Sequence, residues 1–361
     1  MGDLTLEIYC SSSFIDKCGN LSTLLKRYKK HSHNIIFILD TQVCVLFREF
    51  YNSPLKFKFE KKYKESYEAI KYLHSMLYKY RENIVCALAI DESSRRLNDF
   101  SLNYDKQRNT NMAVQCLLQM NPYQFEKFSF TVKPSNAIKD NSKKVKSKID
   151  ALKQDIPYIE YLRVIYACML KLYLLKRTNE EKMCKYKEFL NFIDKEIDLT
   201  ISQVTVFSIF YIFDEYGTIK KIMDKKAKCF EELIHNIWNA SIDMYFITFA
   251  RMLVTQNELP VLVTADKELY KLDNMMKYQE ISFDENGDVL SERHEVGLFD
   301  SLDFLKPNER TVLIEIDNKF KRRRLLKDKV RKPYDDSILN LCKKMEADLE
   351  TVFEKLKIIH N

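Results

Sequence analysis

Three apolar runs in this chain each end on a carboxylate: residues 35–39 into Asp40, residues 84–90 into Asp91 and Glu92, and residues 261–265 into Asp266. Short unbroken apolar runs of this kind read as strands buried on both faces, the pattern of a parallel α/β sheet. Ligands of such sheets bind just beyond the carboxyl ends of the strands. If the three ends are neighbours, several negative charges share one crevice and repel unless a cation sits among them. A divalent metal is the simplest relief, and carboxylates around such a metal suit the hydrolysis of phosphate esters.

The rest of the composition narrows the field. With 361 residues, two domains or one domain with a large insertion fit the length equally well. Only 5 Gly and 7 Pro leave few linkers, so most of the chain is expected to be helical. There is no GxGxxG and no GxxxxGK[ST], which excludes phosphate binding through those Gly-rich loops. Nine Cys without a CxxC pair read as reduced thiols of a cytoplasmic protein. The N-terminus lacks a secretory signal pattern. The most apolar stretch, residues 197–213, is interrupted by Asp198, Thr200, Ser202, Gln203, Thr205 and Ser208. It is also shorter than the roughly 20 apolar residues that span a bilayer, so it reads as a buried helix and no membrane partner is expected.

Along the chain, residues 1–33 read as an N-terminal extension with a basic stretch at Lys26–Lys30. A helical pattern follows the first strand through Val43, Phe47 and Phe50, and residues 57–80 form a second amphipathic pattern through Tyr67, Ile70, Leu73 and Leu77. Ser93 and Ser94 are candidates to start the helix after the second strand. Residues 128–230 read as a helical insertion, with a solvated charge run from Lys139 to Lys148. A helix is expected over residues 231–255, with a break and restart open at Asn239–Ser241. Residues 284–361 form a C-terminal extension: a hairpin around Asn286-Gly287, a basic segment at residues 319–332, and an amphipathic helix from about Asp336 to Ile359.

A fourth carboxylate, Asp243, lies in line with Ile247, Ala250 and Val254 and so falls on the apolar stripe of its helix. Burying it is costly unless it is paired or metal-bound. The alternative is a first-turn Asp after a restart near Ser241, stabilised by the helix dipole.

These residues together resemble the PIN-domain nucleases. The resemblance rests on Asp40-Thr41 closing a strand, an acidic residue after the second strand, residues 239–243 (Asn-Ala-Ser-Ile-Asp) opening a late helix, and residues 263–269 (Val-Thr-Ala-Asp-Lys-Glu-Leu) ending a strand. It covers residues 34 to about 125 and about 231 to 283. It implies a PIN-like core, residues 34–127 and 231–283, with a parallel sheet flanked by helices. It also implies a metal site of Asp40, Asp243, Asp266 and a second-position acid. Glu92 is chosen there, with Asp91 one residue away and Glu160 as a further alternative; Glu268 stands beside Asp266 as a helper or as an exposed loop residue.

Oxygen ligands of this kind suit Mg²⁺ or Mn²⁺. His33 and His235 lie outside the acidic motifs, and His31 and His33 have no partners at ligand spacing, which disfavours zinc. Gln42 stands where a haloacid-dehalogenase phosphatase needs its second Asp, and no Asp-x-Asp marks a Toprim strand end. The expected activity is a metal-dependent endoribonuclease, toxin-like or a defence effector, with RNA favoured over DNA. Two alternatives stay open: a PIN-like scaffold that has lost catalysis, and a structure-specific DNA nuclease. Arg95 and Arg96, Lys143–Lys148, and Arg322, Arg323 and Arg324 are candidates to grip a phosphate backbone, and each also reads as a solvated face. Tyr28, Tyr63 and Tyr67 alternate with lysines and are candidates either to stack bases or to fill the core. The insertion or the C-terminal segment is the expected surface for a protein partner or a second copy.

Overall fold

The computed structural model describes residues 8–12, 34–95, 102–131, 158–199, 201–213, 217–254, 258–276, 278–283, 289–294, 305–325 and 336–360. In chain order the elements begin with β1 (Tyr9–Ser12), β2 (Asn34–Leu39), α1 (Thr41–Asn52), α2 (Pro54–Phe59), α3 (Lys64–Tyr78), β3 (Ile84–Val85), α4 (Ala87–Glu92), α5 (Tyr104–Gln119) and α6 (Pro122–Phe128). Five helices follow: α7 (Tyr158–Lys176), α8 (Lys182–Phe192), α9 (Ser202–Phe213), α10 (Gly217–Met223) and α11 (Phe230–Met252). The chain then forms β4 (Glu258–Thr264), α12 (Lys267–Asn274), β5 (Tyr278–Phe283), β6 (Val289–His294), α13 (Pro307–Leu325) and α14 (Asp336–His360). Two compact units result, residues 1–154 with 250–292, and residues 155–249 with 293–361.

The first unit is an α/β body on a four-stranded mixed sheet of order β1-β4-β2-β3. β2 runs parallel to both β4 and β3, and β1 is antiparallel to β4. β2 and β4 are the sequence's apolar runs, and Phe37, Ile38, Leu39, Val261, Leu262 and Val263 are all buried. Burial on both faces explains their lack of alternation. Pro260 pairs in register with Ile36 of β2 and falls just before Val261, the first β4 residue matched by β1. A residue with no N–H to give is thereby kept out of the β1 ladder. The register also sets Leu39 opposite Val263, so β2 and β4 end level with each other.

The sequence expectations are corrected at several points. The sheet is mixed, because residues 9–12 of the expected N-terminal extension supply an antiparallel edge strand. The expected strand over residues 84–90 stops at Val85, and Ala87–Glu92 is helical with Leu88, Ala89, Ile90 and Asp91 buried. An apolar run buried all round is ambiguous between strand and helix, and the two alanines favour helix. Ser93 and Ser94 do not start the next helix; both hydroxyls donate to the Ile90 carbonyl, and Asn103 caps α5 instead. The single helix expected over 57–80 is divided into α2, a 3₁₀ turn at Lys61–Tyr63, and α3. No break occurs at Asn239–Ser241, so Asp243 is mid-helix and not in a first turn.

The second unit is helical. Residues 203–213 of α9 are buried throughout, and among the described residues no helix is long and apolar enough to cross a membrane. α14 packs along α7 here, where the Tyr166 hydroxyl donates to Glu346 at 2.8 Å. The C-terminal helix therefore belongs with the helical insertion, and α11 as far as Phe249 is grouped with them. β5 and β6 pair as a separate two-stranded sheet over the expected hairpin. The Asn286-Gly287 turn lies outside the described residues, as do Tyr28, His31, His33, Arg96 and Lys143–Lys148. Arg322, Arg323 and Arg324 lie within α13, and Glu160 within α7, with their side chains outside the description.

Candidate active site

Because β2 and β4 end level, Asp40 and Asp266 leave the sheet at the same edge, each one or two residues past its strand. Each then caps the helix that follows. Asp40 Oδ1 accepts from the Val43 N–H at 2.8 Å at the head of α1. Asp266 Oδ1 accepts from Glu268 at 2.7 Å and Leu269 at 3.1 Å at the head of α12. Aspartate is favoured at this position because it satisfies helix N–H groups that have no intrahelical acceptor.

The Asp40 carboxylate and the Asp266 backbone are joined through Thr264. Its hydroxyl donates to Asp40 Oδ2 and accepts from the Asp266 N–H, the latter at 2.8 Å. Gln42 Nε2 donates to Asp266 Oδ2 at 3.2 Å from the first turn of α1. Residues of both strand ends thus form one polar cluster, closed below by Leu39 and Val263, which are fully buried.

Glu92, at the end of α4, supplies the third charge. It is half-buried, and its Oε2 is shielded from solvent without a hydrogen-bond partner among the described residues. Burial raises the Glu92 carboxyl above the usual range, against the lowering effect of Thr41, Lys106 and Arg95. The Thr41 hydroxyl lies close enough to act on Glu92, yet Oγ1 makes no hydrogen bond of good geometry. Asp91 is turned the other way, buried and accepting from Gln107 Nε2. This separates the two neighbours that the sequence left open: Glu92 acts electrostatically on Asp40, and Asp91 is tied to α5.

Asp40 carries the clearest signature. It is buried, and burial pushes its carboxyl up to about 7; Thr264 and the Val43 N–H pull it down, and the charges of Asp266 and Glu92 push it further up. A carboxylic acid that titrates near neutrality among other carboxylates is a common mark of a functional site. The thiols nearby do not compete as nucleophiles. Burial pushes Cys86 up to about 12 and holds Cys44 well above its ordinary value, so both stay protonated near neutral pH.

Asp243 is half-buried in the middle of α11 and belongs to the helical unit, whereas Asp40, Glu92 and Asp266 belong to the sheet unit. Its stripe neighbours Ile247, Ala250 and Val254 are buried, as their spacing requires. Glu268 lies in the first turn of α12 and pairs with Lys271 at 3.2 Å. Arg95 forms an isolated bridge with Leu102. Tyr67 is a core residue, and Tyr63 stacks on Phe57 at 4.7 Å.

Among the described residues no group of three or more His, Cys, Asp or Glu side chains is placed to hold a metal ion. The donor chemistry nevertheless suits a hard cation: all the acidic groups offer oxygen, and one buried carboxylate oxygen of Glu92 has no hydrogen-bond donor among the described residues. The residues that sequence reasoning missed are Thr264, Gln42 and Gln107. Thr264 stood inside the Thr-x-Asp segment, but only the strand register shows that its hydroxyl reaches Asp40.

Replacing Thr264 by Val is expected to cost about 1.5–3 kcal/mol, the range for a hydrogen bond to a charged group. Urea denaturation in chelator would measure this, and the Asp40 titration should move further upward. A variant with unchanged stability and an unchanged Asp40 titration would remove the bridge from the account.

No family model matches this chain, and neither a curated protein nor a solved structure matches it.

Proposed function

We propose that the chain is a metal-dependent nuclease of PIN-like type that hydrolyses phosphodiester bonds in RNA and acts in the cytoplasm. The supporting observation is the pairing of Asp40 and Asp266 at level ends of adjacent parallel strands through Thr264, with Glu92 near enough to raise the Asp40 carboxyl. Asp40, Asp266 and Glu92 are the residues assigned to hold Mg²⁺ or Mn²⁺. A bound ion of this class supplies charge neutralisation at the scissile phosphate and a more acidic water. Thr264 fixes Asp40 Oδ2 and the Asp266 backbone in one orientation, and Gln42 fixes Asp266 Oδ2. Near neutral pH Asp40 holds a proton part of the time, so loading with cation should release that proton and strengthen as pH rises through 7.

A second reading draws on the same hydrogen bonds. Asp40 and Asp266 both cap helices, both Asp40 oxygens already accept, and no metal-holding group is present among the described residues. On that reading the carboxylates are structural and the protein is a binding scaffold. The purified protein incubated with labelled RNA and DNA, in Mn²⁺ or Mg²⁺ and with a chelator control, decides between them. RNA cleavage that the chelator stops is expected. Folded protein that binds Mn²⁺ no better than its Asp40→Asn variant, and cleaves neither nucleic acid, would establish the scaffold.

A further inference from the structure

The first unit carries a second feature, made by α2 and α6. Both short helices dock on the buried ring of Phe50, which stacks with Phe125 at 5.1 Å and meets Phe57 and Phe128 edge-on at 5.8 and 5.9 Å. Lys58 ties them together further, bonding to Glu126 of α6 and to Ser129 at 3.0 Å. Pro54 opens α2, and a capping box of Asn121 and Gln124 opens α6. The inner aromatic rings therefore fix how the outer ones are presented.

Those outer rings are unusual. Phe59 is 66% exposed, Tyr123 68% and Phe130 54%, and the rings of Phe59 and Phe130 touch, with centroids 6.0 Å apart. Solvent-facing Phe side chains in contact cost free energy unless something covers them. Lysines border them, and the half-buried Lys58 ammonium covers one face of the Phe130 ring, 3.7 Å from its centroid. Residues 54–64 hold Lys56, Lys58, Lys61, Lys62 and Lys64 against the single Glu60. Lys56 and Lys62 lie 5.1 and 4.7 Å from the Tyr63 ring centroid, and Lys127 lies 4.6 Å from that of Tyr123. Acidic relief is partial: Glu60 pairs with Lys62 at 3.9 Å, Glu126 is engaged by Lys58 and Lys71, and Glu65 is exposed in the next turn.

We infer that the α2–α6 surface is a binding platform for single-stranded nucleic acid, with Phe59, Phe130 and Tyr123 stacking on bases and Lys56, Lys61, Lys62, Lys64 and Lys127 on the phosphates. Flat π-faces flanked by cations match a chain that alternates flat bases with anionic phosphates, and they read it without sequence preference. A duplex hides its base faces and offers nothing to stack. Charge argues against the chain's own next segment as occupant, since Lys139–Lys148 repeats the sign of the platform. The inference goes beyond the metal site and does not need it to be catalytic.

Binding of a labelled single-stranded RNA of about 20 nucleotides, followed by anisotropy in chelator, tests it. Phe59→Ala with Phe130→Ala should weaken binding about tenfold per ring. Phe59→Trp with Phe130→Trp should retain it. Replacing Lys61, Lys62 and Lys64 by Gln should flatten the log–log salt slope by about 2, near 0.7 per phosphate contact on a single strand. Melting curves check that each variant is folded. Three results would overturn the inference: equal affinity for a duplex of the same sequence, full binding by the folded alanine pair, or a change in sedimentation with no change in binding. Because chelator is present throughout, loss of binding here and absence of cleavage in metal are separate outcomes.

Discussion

Asp40→Asn is expected to abolish metal-dependent cleavage, by about a thousandfold or more, while making the metal-free protein more stable above neutral pH. The rate loss follows from removing a carboxylate from the proposed ion site, where several kcal/mol of transition-state stabilisation are at stake. The stability gain follows from the Asp40 titration. Its carboxyl rises from 3.8 to about 7 in the folded protein, first through burial and then through Asp266 and Glu92. A rise of that size corresponds to about 4 kcal/mol held against folding once Asp40 is ionised.

Because the folded pKa is the higher one, the folded protein keeps a proton that the unfolded chain has released. Stability from this group is therefore complete below about pH 4 and falls by about 1.4 kcal/mol per pH unit between about 4 and 7. Asn has no charge to bury and caps a helix as well as Asp does. It gives up one acceptor, the oxygen that Thr264 uses, so the net gain at pH 8 should be about 1–3 kcal/mol. Urea melts of parent and variant at pH 5 and pH 8, in chelator, would show the two curves drawing apart with rising pH. Parallel pH profiles would mean that Asp40 is not the group described.

The parts of this site that were legible in the sequence are those fixed by one strand at a time. β2 and β4 could be read from their apolar runs, and Asp40 and Asp266 from standing at the ends of those runs. What could not be read depends on how strands and helices meet. The level ends of β2 and β4 follow from the register of Leu39 with Val263, and Thr264 becomes a bridge only in that register. β1 is a Tyr-Cys-Ser-Ser segment without an apolar pattern, and only its pairing with β4 makes it a strand. In residues 87–92 burial on every side erased the periodicity that separates helix from strand, which put Asp91 and Glu92 at a strand end instead of a helix end. Asp243 was read correctly as sharing a stripe with buried residues. No break precedes it, and its helix runs to Met252, grouped with the insertion only as far as Phe249.

Asp273→Ala should be strongly destabilising to the sheet unit, at about 3–5 kcal/mol. Arg251 Nη2 donates to Asp273 Oδ1 at 2.7 Å and to the Asp273 carbonyl at 3.3 Å, and both side chains are buried. Removing the carboxylate leaves a buried guanidinium with its main compensating charge gone, which costs far more than the pair contributes over an apolar substitute. The pair also bears on the site, because Asp273 lies on α12, the helix that Asp266 caps. A loss of this size in a unit of this length should lower the melting temperature by about 10 °C. Replacing both residues, Arg251→Met with Asp273→Leu, should restore most of the loss, since no unpaired charge is then buried. Below its melting temperature the double variant should keep the metal affinity of the parent, as neither residue belongs to the carboxylate cluster. If Asp273→Ala melts within a degree or two of the parent, the pair is not holding α12, and the capping of that helix by Asp266 would have to suffice alone.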